Sequence, residues 1–342
     1  MNIYPLDIPF HLFSTCILVR GHKRSCIYDL QRYDFEYIPN TLYDILYSSK
    51  NVTIQDIISL YDNIEDKNNI IEYFNFLFEK EFVFFSKMKS SFFPPLKIEF
   101  NKPYRVSTFI IDVDNSQLNY LEKIKENIIN AKVECLVIRI INSNYNELID
   151  ILKKFDGIPT RIIQLFISKD VVILDSQIES LFDANNRTSV IIKTEDEIEL
   201  TKEFKKGTFI WTKKDIINKK QKFIDISEFS PNLDLYMESK LFNSFYNKRV
   251  YIDSTGNICR FEIDSQNFGN LKLNRLEDIL LNNDFTKYWN IKKDDIEICK
   301  DCEYRYMCVD SRLPLYQNNE KLWVLEGECN YDPYTSQWKK IV

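Results

Sequence analysis

"RVSTFIIDVDNSQLNYLEKIKENIINAKVECLVIRII", residues 105–141, reads as a strand, a helix and a second strand in succession. Its two ends are strand-like apolar runs, and between them the apolar residues recur at helical spacing. The alternation continues through "NELIDILKKF", "TRIIQLFIS", "TSVIIK" and "GTFIW", up to about residue 215. Repeated strand and helix units call for a parallel sheet with crossover helices, because a tight hairpin cannot join parallel neighbours. The fold class is therefore read as α/β. Only Gly157 and Gly207 fall between residues 101 and 215, so the loops hold neither a G-x-G-x-x-G fingerprint nor a P-loop for phosphate.

Upstream, to about residue 100, short β-type runs come first: "LFSTCILV" (12–19), "SCIYDL" (25–30) and "DFEYI" (34–38). Helices follow, with Thr41 and Asp44, then Thr53 and Asp56, in capping-box spacing. Ile54, Ile57, Ile58 and Tyr61 share one helical face, and Ile70, Phe74, Leu77 and Phe78 share another. Phe82 to Phe85 reads as a closing strand. Three strands, three helices and a strand make a winged-helix-like arrangement. Its third helix, "NNIIEYFNFLFEKEF", carries three acids and one lysine, which suits a peptide better than DNA.

Composition agrees with that exclusion. The chain has 342 residues, 44% hydrophobic and 28% charged, enough for a sizeable core in about two or three domains. A net charge of −6 without a basic stripe argues against nucleic acid as a partner. "MNIYPLDIPF" lacks a basic signal region, and no run approaches the ~18 apolar residues of a membrane span. A cytoplasmic protein is expected, with no membrane partner. Its thiols would then be reduced, which favours a metal site or a catalytic group over a disulfide. His11 and His22 are the only histidines and read as surface or turn residues, so no nucleophilic triad is visible.

Beyond residue 230, "RVYIDSTGNICRFEI" reads as a hairpin turning around Ser254 to Asn257, with Gly256 free to take a positive φ. "LNRLEDILLNNDFTKYW" reads as one short amphipathic helix. Then come Cys299, Cys302 and Cys308 as C-x2-C-x5-C, with Cys329 about twenty residues later. Four thiolates suit zinc or an iron-sulfur cluster, and spacing does not choose between them. Lys300, Arg305 and Arg312 are close in sequence and would favour deprotonated thiols. Cys16, Cys26 and Cys135 lie in strand-like runs and are read as core.

The C-terminal pattern, "GNICRFEI…FGNL…LEDIL…YWNIKKDDIEICKDCEYRYMC…C", resembles a SPASM domain, the cysteine-rich module of many radical-SAM peptide-modifying enzymes. Together with "FHLFSTCILVRGHKRSCIYDLQRYDFEYIPNTLYDIL" (10–46), it resembles the SPASM-domain maturases of grasp-with-spasm systems. That resemblance implies three domains: a peptide-recognition domain over 1–100, a degenerate (β/α) partial barrel over 101–230 and a SPASM domain over 231–342. It further implies a precursor peptide and an ATP-grasp ligase as partners. Two departures from the family matter. The segment "FIIDVDNSQLNY" lacks the C-x3-C-x2-C set of radical-SAM enzymes, so no SAM is expected. Of the two auxiliary clusters such modules hold, only Cys299, Cys302, Cys308 and Cys329 match a complete ligand set, and Cys259 is left as a possible extra thiol. "VDSR" (309–312) puts Ser311 and Arg312 where a further cysteine would fall.

The resulting expectation is an accessory protein of peptide maturation with one structural four-cysteine site, a 4Fe-4S cluster being favoured over zinc. The alternatives are a redox-active iron-sulfur enzyme acting on the peptide and a metal-dependent regulator. Peptide docking by β-augmentation would use the edge at residues 33–38, with Tyr33, Phe35 and Tyr37 beside a groove lined by Phe74 and Phe78.

Overall fold

A computed structural model describes residues 4–114, 120–215, 217, 225–317 and 319–339. Four short strands come first: β1 (Phe10–Leu12), β2 (Cys16–Val19), β3 (Ser25–Asp29) and β4 (Asp34–Ile38). Helices α1 (Asn40–Ser48), α2 (Ile54–Ser59) and α3 (Ile64–Glu79) lead to β5 (Val83–Phe85). The alternating region supplies β6 (Val106–Asp114), α4 (Leu121–Asn130), β7 (Val133–Asn142), α5 (Tyr145–Lys154), β8 (Ile162–Ile167), α6 (Ile178–Ala184) and β9 (Thr188–Thr194). After these come β10 (Leu200–Phe204), β11 (Gly207–Thr212), α7 (Leu233–Leu241), β12 (Arg249–Ile252) and β13 (Ile258–Cys259). The last elements are α8 (Leu276–Ile279), α9 (Asn283–Thr286), hairpin β14 (Pro314–Gln317) and β15 (Leu322–Leu325), and the pair β16 (Tyr331–Asp332) and β17 (Gln337–Trp338). The chain makes two compact units, one of Met1–Phe100, Phe223–Ser244 and Ile291–Val342, the other of Asn101–Lys222 and Phe245–Asn290. Residues 231–342 are thus shared between the two.

The second unit is the α/β part. Its eight strands lie in the order β10-β11-β9-β8-β7-β6-β12-β13, with β10 and β13 as antiparallel edges and the rest parallel. Phe109, Ile111 and Val113 of β6 share one core with Ile124 of α4, Ile151 of α5 and Leu181 of α6. Ile110, Val137, Tyr251 and Cys259 form a separate cluster, against which Cys135 and Phe166 pack half-buried. Both faces are apolar, which is why these strands read as near-continuous hydrophobic runs. Where the sequence suggested one helix over Leu273 to Trp289 there are two, because the Asn282 side chain accepts from the amides of Asp284 (2.8 Å) and Phe285 (3.4 Å) and starts α9 afresh. The start of the expected helix at residues 117–119 lies outside the described residues.

A buried polar network crosses this sheet. Tyr251 donates to Asp112 at 2.6 Å, and Arg139 Nε lies 3.2 Å from the other Asp112 oxygen. Arg139 also donates to the Ile217 carbonyl at 2.5 Å, while Arg249 binds Glu262 at 2.9 Å. Burial pushes the Glu262 carboxyl up, but Arg249 and Arg139 outweigh it and hold its pKa below the usual range. A depressed carboxylate stabilises the fold fully above its unfolded pKa of about 4.3, and that contribution is lost as the pH falls through the lowered value. Glu262→Gln is expected to flatten the acid side of the stability curve, measured as denaturant midpoints between about pH 3 and 6.

In the first unit, β2-β3-β4 form an antiparallel sheet and β1 pairs with β5. The run 12–19 therefore does not form one strand: Leu12 ends β1 and a turn at Ser14 and Thr15 sends Cys16 into a different sheet. Thr53 and Asp56 form the expected capping box. Thr41 does not cap α1; Pro39 holds that position without a side-chain bond, and Asp44 pairs with Arg20 instead. His11 is buried against Phe84 and Phe93 rather than at the surface. Its ring fills the aromatic corner between β1 and β5.

All five residues of β3 are buried because both its faces are covered. Ile27 joins Phe74, Leu77 and Ile57 in the helical core, whereas Cys26 and Tyr28 join Tyr304, Met307 and Tyr331 of the C-terminal segment. Cys16 and Cys26 are core, as their strand positions suggested. Among the described residues no helix is long and apolar enough to cross a membrane.

Candidate metal centre

The loop carrying the first cysteines is fixed from both sides. Cys299 and Cys302 flank one tight turn, with the Cys302 amide donating to the Cys299 carbonyl at 3.0 Å. Just before it, Ile298 has φ 66 and ψ −48, and the Cys299 amide donates to Glu297 at 2.8 Å across it. That is a γ-turn of the rare, strained hand, and a β-branched residue held there is an outlier costing roughly 1–3 kcal/mol. The Cys302 carbonyl accepts from Arg305 at 2.9 Å and the Cys308 carbonyl from Ser244 at 2.8 Å. The β14–β15 hairpin accounts for most of the gap before Cys329, and the Glu297 amide ties it back to the loop through the Trp323 carbonyl at 2.8 Å.

All four cysteines are free thiols. Each residue keeps some surface exposed, yet burial of the thiol group is the leading influence on Cys299, Cys302 and Cys308 and raises the pKa of each. The thiols also act on one another: Cys299 and Cys308 both feel Cys329, and Cys302 feels Cys308 and Cys299. Four thiols therefore share one neighbourhood. They are not drawn into ligand geometry, because among the described residues no three Cys, His, Asp or Glu converge closely enough to hold an ion as they stand.

The charges around them bear on what would fit. Lys293 is 2% exposed; its ammonium has no hydrogen-bond acceptor among the described residues and an ion pair with Asp310 at 3.5 Å. Burial alone would lower the Lys293 pKa, but Asp310, then Cys308 and Cys299, outweigh it and hold it above its ordinary value. Arg312 grips Asp310 through Nη2 at 2.6 Å and Nε at 3.0 Å. Two buried cations against one carboxylate leave one positive charge in excess beside the sulfurs. An anionic four-thiolate centre would compensate it and give Lys293 its missing acceptors, so the donor set fits zinc or an iron-sulfur cluster in kind.

Of the cations read from the sequence, only Arg312 is among the leading influences on a thiol here, at Cys299. Lys300 pairs with Glu297 at 2.7 Å, and Arg305 with Asp294 at 3.0 Å. Lys293 was missed, since nothing in "IKKDD" separates it from Lys292; it turns inward because its flanks are pinned. Asp294 accepts from Tyr306 at 2.8 Å and Asp295 from the Lys292 amide at 3.3 Å. Cys259 is buried in the α/β unit, paired with Tyr251 across β12 and β13.

The suggested peptide edge is the strand β4, which pairs only with β3 among the described strands. Tyr33 stands at the hairpin tip, 62% exposed and held at φ 60. Tyr37 is exposed, stacks under the Arg24 guanidinium at 3.6 Å and shares a 2.5 Å hydroxyl contact with Tyr304. Phe35 is half-buried between Tyr28, Tyr37 and Tyr304. Phe74 cannot line a groove: it is fully buried, edge-on to Phe10 at 4.7 Å, because its helical face points into the core. Phe78 is half-buried against Tyr4 and Phe85. The sequence matches no protein-family model, and no curated protein matches it.

Proposed function

We propose that this chain is an accessory protein of peptide maturation, with one metal centre at Cys299, Cys302, Cys308 and Cys329 and a peptide-docking edge at β4. One observation carries the reading: the buried thiols of Cys299, Cys302 and Cys308 act on one another, with Cys329 acting on two of them, beside a buried ammonium that has no acceptor among the described residues, in the same unit as an edge strand flanked by exposed tyrosines. A centre closed by four protein sulfurs has no vacancy for substrate, and what it supplies is folding energy. The N-terminal block would be the winged-helix-like recognition domain. The α/β unit would be an opened (β/α) barrel, a reading supported by successive strands β6 to β9 stepping one way while α4, α5 and α6 share a single core face.

In this reading Lys293 is a charge partner of the ligands. Lys293→Met is expected to weaken metal retention about 10- to 100-fold, the usual effect of removing an outer partner, and Lys293→Arg to restore part of it. Competition with a chelator, followed by metal analysis, measures both.

The proposed partners are a short precursor peptide and an ATP-grasp ligase. Mass spectrometry of such a precursor, co-expressed with its ligase with and without this chain, tests the reading. Dehydrative crosslinks that depend on this chain support the accessory role. A separate mass change made by this chain without the ligase would overturn it.

A further inference from the structure

We propose that the four-cysteine segment and the β4 edge are thermodynamically coupled, so that metal occupancy sets whether β4 is held ready to receive an added strand. This rests on the metal reading above and adds to it a control of peptide recognition.

The coupling runs through the outer face of the β2-β3-β4 sheet. The His22 amide donates to the Asp301 carbonyl at 2.8 Å, and Arg305 donates to the Arg20 carbonyl at 2.6 Å. Arg24 reaches Glu303 at 2.8 Å and the Tyr304 hydroxyl at 2.9 Å. The fully buried Tyr28 hydroxyl donates to the Glu303 carbonyl, one residue from Cys302. The turn between β2 and β3 sits so close that a Cβ on Gly21 would lie 2.9 Å from the Glu303 Cβ. Tyr304 then meets Phe35 and Tyr37 of β4 directly.

These contacts give the two faces of the sheet unequal support. The helices α1 to α3 keep a core of their own around Phe74, Leu77 and Ile57. The opposite face of β3, with Cys26 and Tyr28, is covered by Tyr304, Met307 and Tyr331 of the cysteine segment and its neighbours, together with Tyr236 and Met237 of α7 and Phe229. If the segment loosens, that face loses the part of its apolar cover that Tyr304, Met307 and Tyr331 supply, and Glu303 loses its partners, while the helical core stays intact. Stability then falls locally, over the strands rather than the whole block. Coupling of this kind is reciprocal, so anything that loosens the strands must also weaken metal binding.

The test is hydrogen exchange with mass spectrometry on the full chain, its metal content measured first, before and after stripping with a chelator. Residues 25–38 are expected to exchange at least about fivefold faster once stripped, the low end of typical coupling, with residues 40–79 unchanged. Tyr28→Phe keeps the ring that packs beside Cys302 and removes only the hydroxyl bonded to Glu303, yet is expected to lose metal to the chelator several-fold faster, about as a coupling of that size requires. Equal exchange of residues 25–38 in both states overturns the inference, as does a loss spread evenly over 25–79. A chain purified without metal would refute the metal reading itself. Metal present, with its removal unfelt at 25–38, would refute the coupling alone.

Discussion

With the proposed metal centre, Cys302→Ser is expected to strip the chain of metal and to abolish cooperative unfolding of the cysteine segment and the strands packed on it, while the helical core around Phe74 and Leu77 is kept. Structural zinc binding is worth ~10–16 kcal/mol, against a net stability of ~5–15 kcal/mol for a domain, so one missing ligand removes an amount comparable to the whole. The loss should be local to one unit. Cys302 packs on the cluster of Tyr28, Tyr304, Met307 and Tyr331, and these residues lose their cover with it. The α/β unit has its own core around Phe109, Ile111 and Ile151 and should melt as before. Cys259→Ser is the control, since Cys259 lies in that other unit and its substitution should leave the metal in place. Metal analysis and calorimetry of both variants decide the matter; equal metal loss in the two would contradict the ligand assignment.

The second large effect lies in the α/β unit. Arg139 and Asp112 are 3% and 1% exposed, on neighbouring central strands and in register with each other. Arg139→Met would take the Arg139 guanidinium away from the buried Asp112 carboxylate, which keeps the Tyr251 hydroxyl. Breaking a buried pair in this way costs about 3–5 kcal/mol, because the remaining charge stays desolvated. Asp112→Asn added to Arg139→Met should recover a large part of that loss, since the buried charge is then gone. Denaturant unfolding of the two single variants and the double gives the cycle. A single-variant cost below about 1 kcal/mol would show that water reaches the pair and that the network is not dry.

Both effects turn on groups of unequal legibility. Strands β6 to β9 could be read because their runs are apolar on both faces, and the helices between them because Ile124, Ile128, Leu148 and Ile151 keep a helical period. Strand β10 could not. Its residues "LTKEF" are exposed and mostly polar except Phe204, which packs on Phe182, so little burial marks them, and they pair with β11. Nor could the register of β12 with β6 be foreseen, because Val250 finds Phe109 across 141 positions of sequence and no local signal encodes it. The spacing of the four cysteines is a signal in the sequence, and the structure brings their thiols into one neighbourhood. Their cation was not legible, because burial of Lys293 depends on how its 3-10 turn is pinned by Arg305, Tyr306 and the Lys292 amide. The same limit explains Phe74. Its helical period marked an apolar face, but only the packing on Phe10 shows that this face is core rather than groove.

The most direct test of the account is the metal content of the full chain purified without oxygen, measured together with its reactive thiols. One centre per chain is expected, as about one zinc or about four iron with matching sulfide, and Cys299, Cys302, Cys308 and Cys329 should resist a thiol reagent until a chelator is added. No stoichiometric metal, with those four thiols reacting at once, would contradict it.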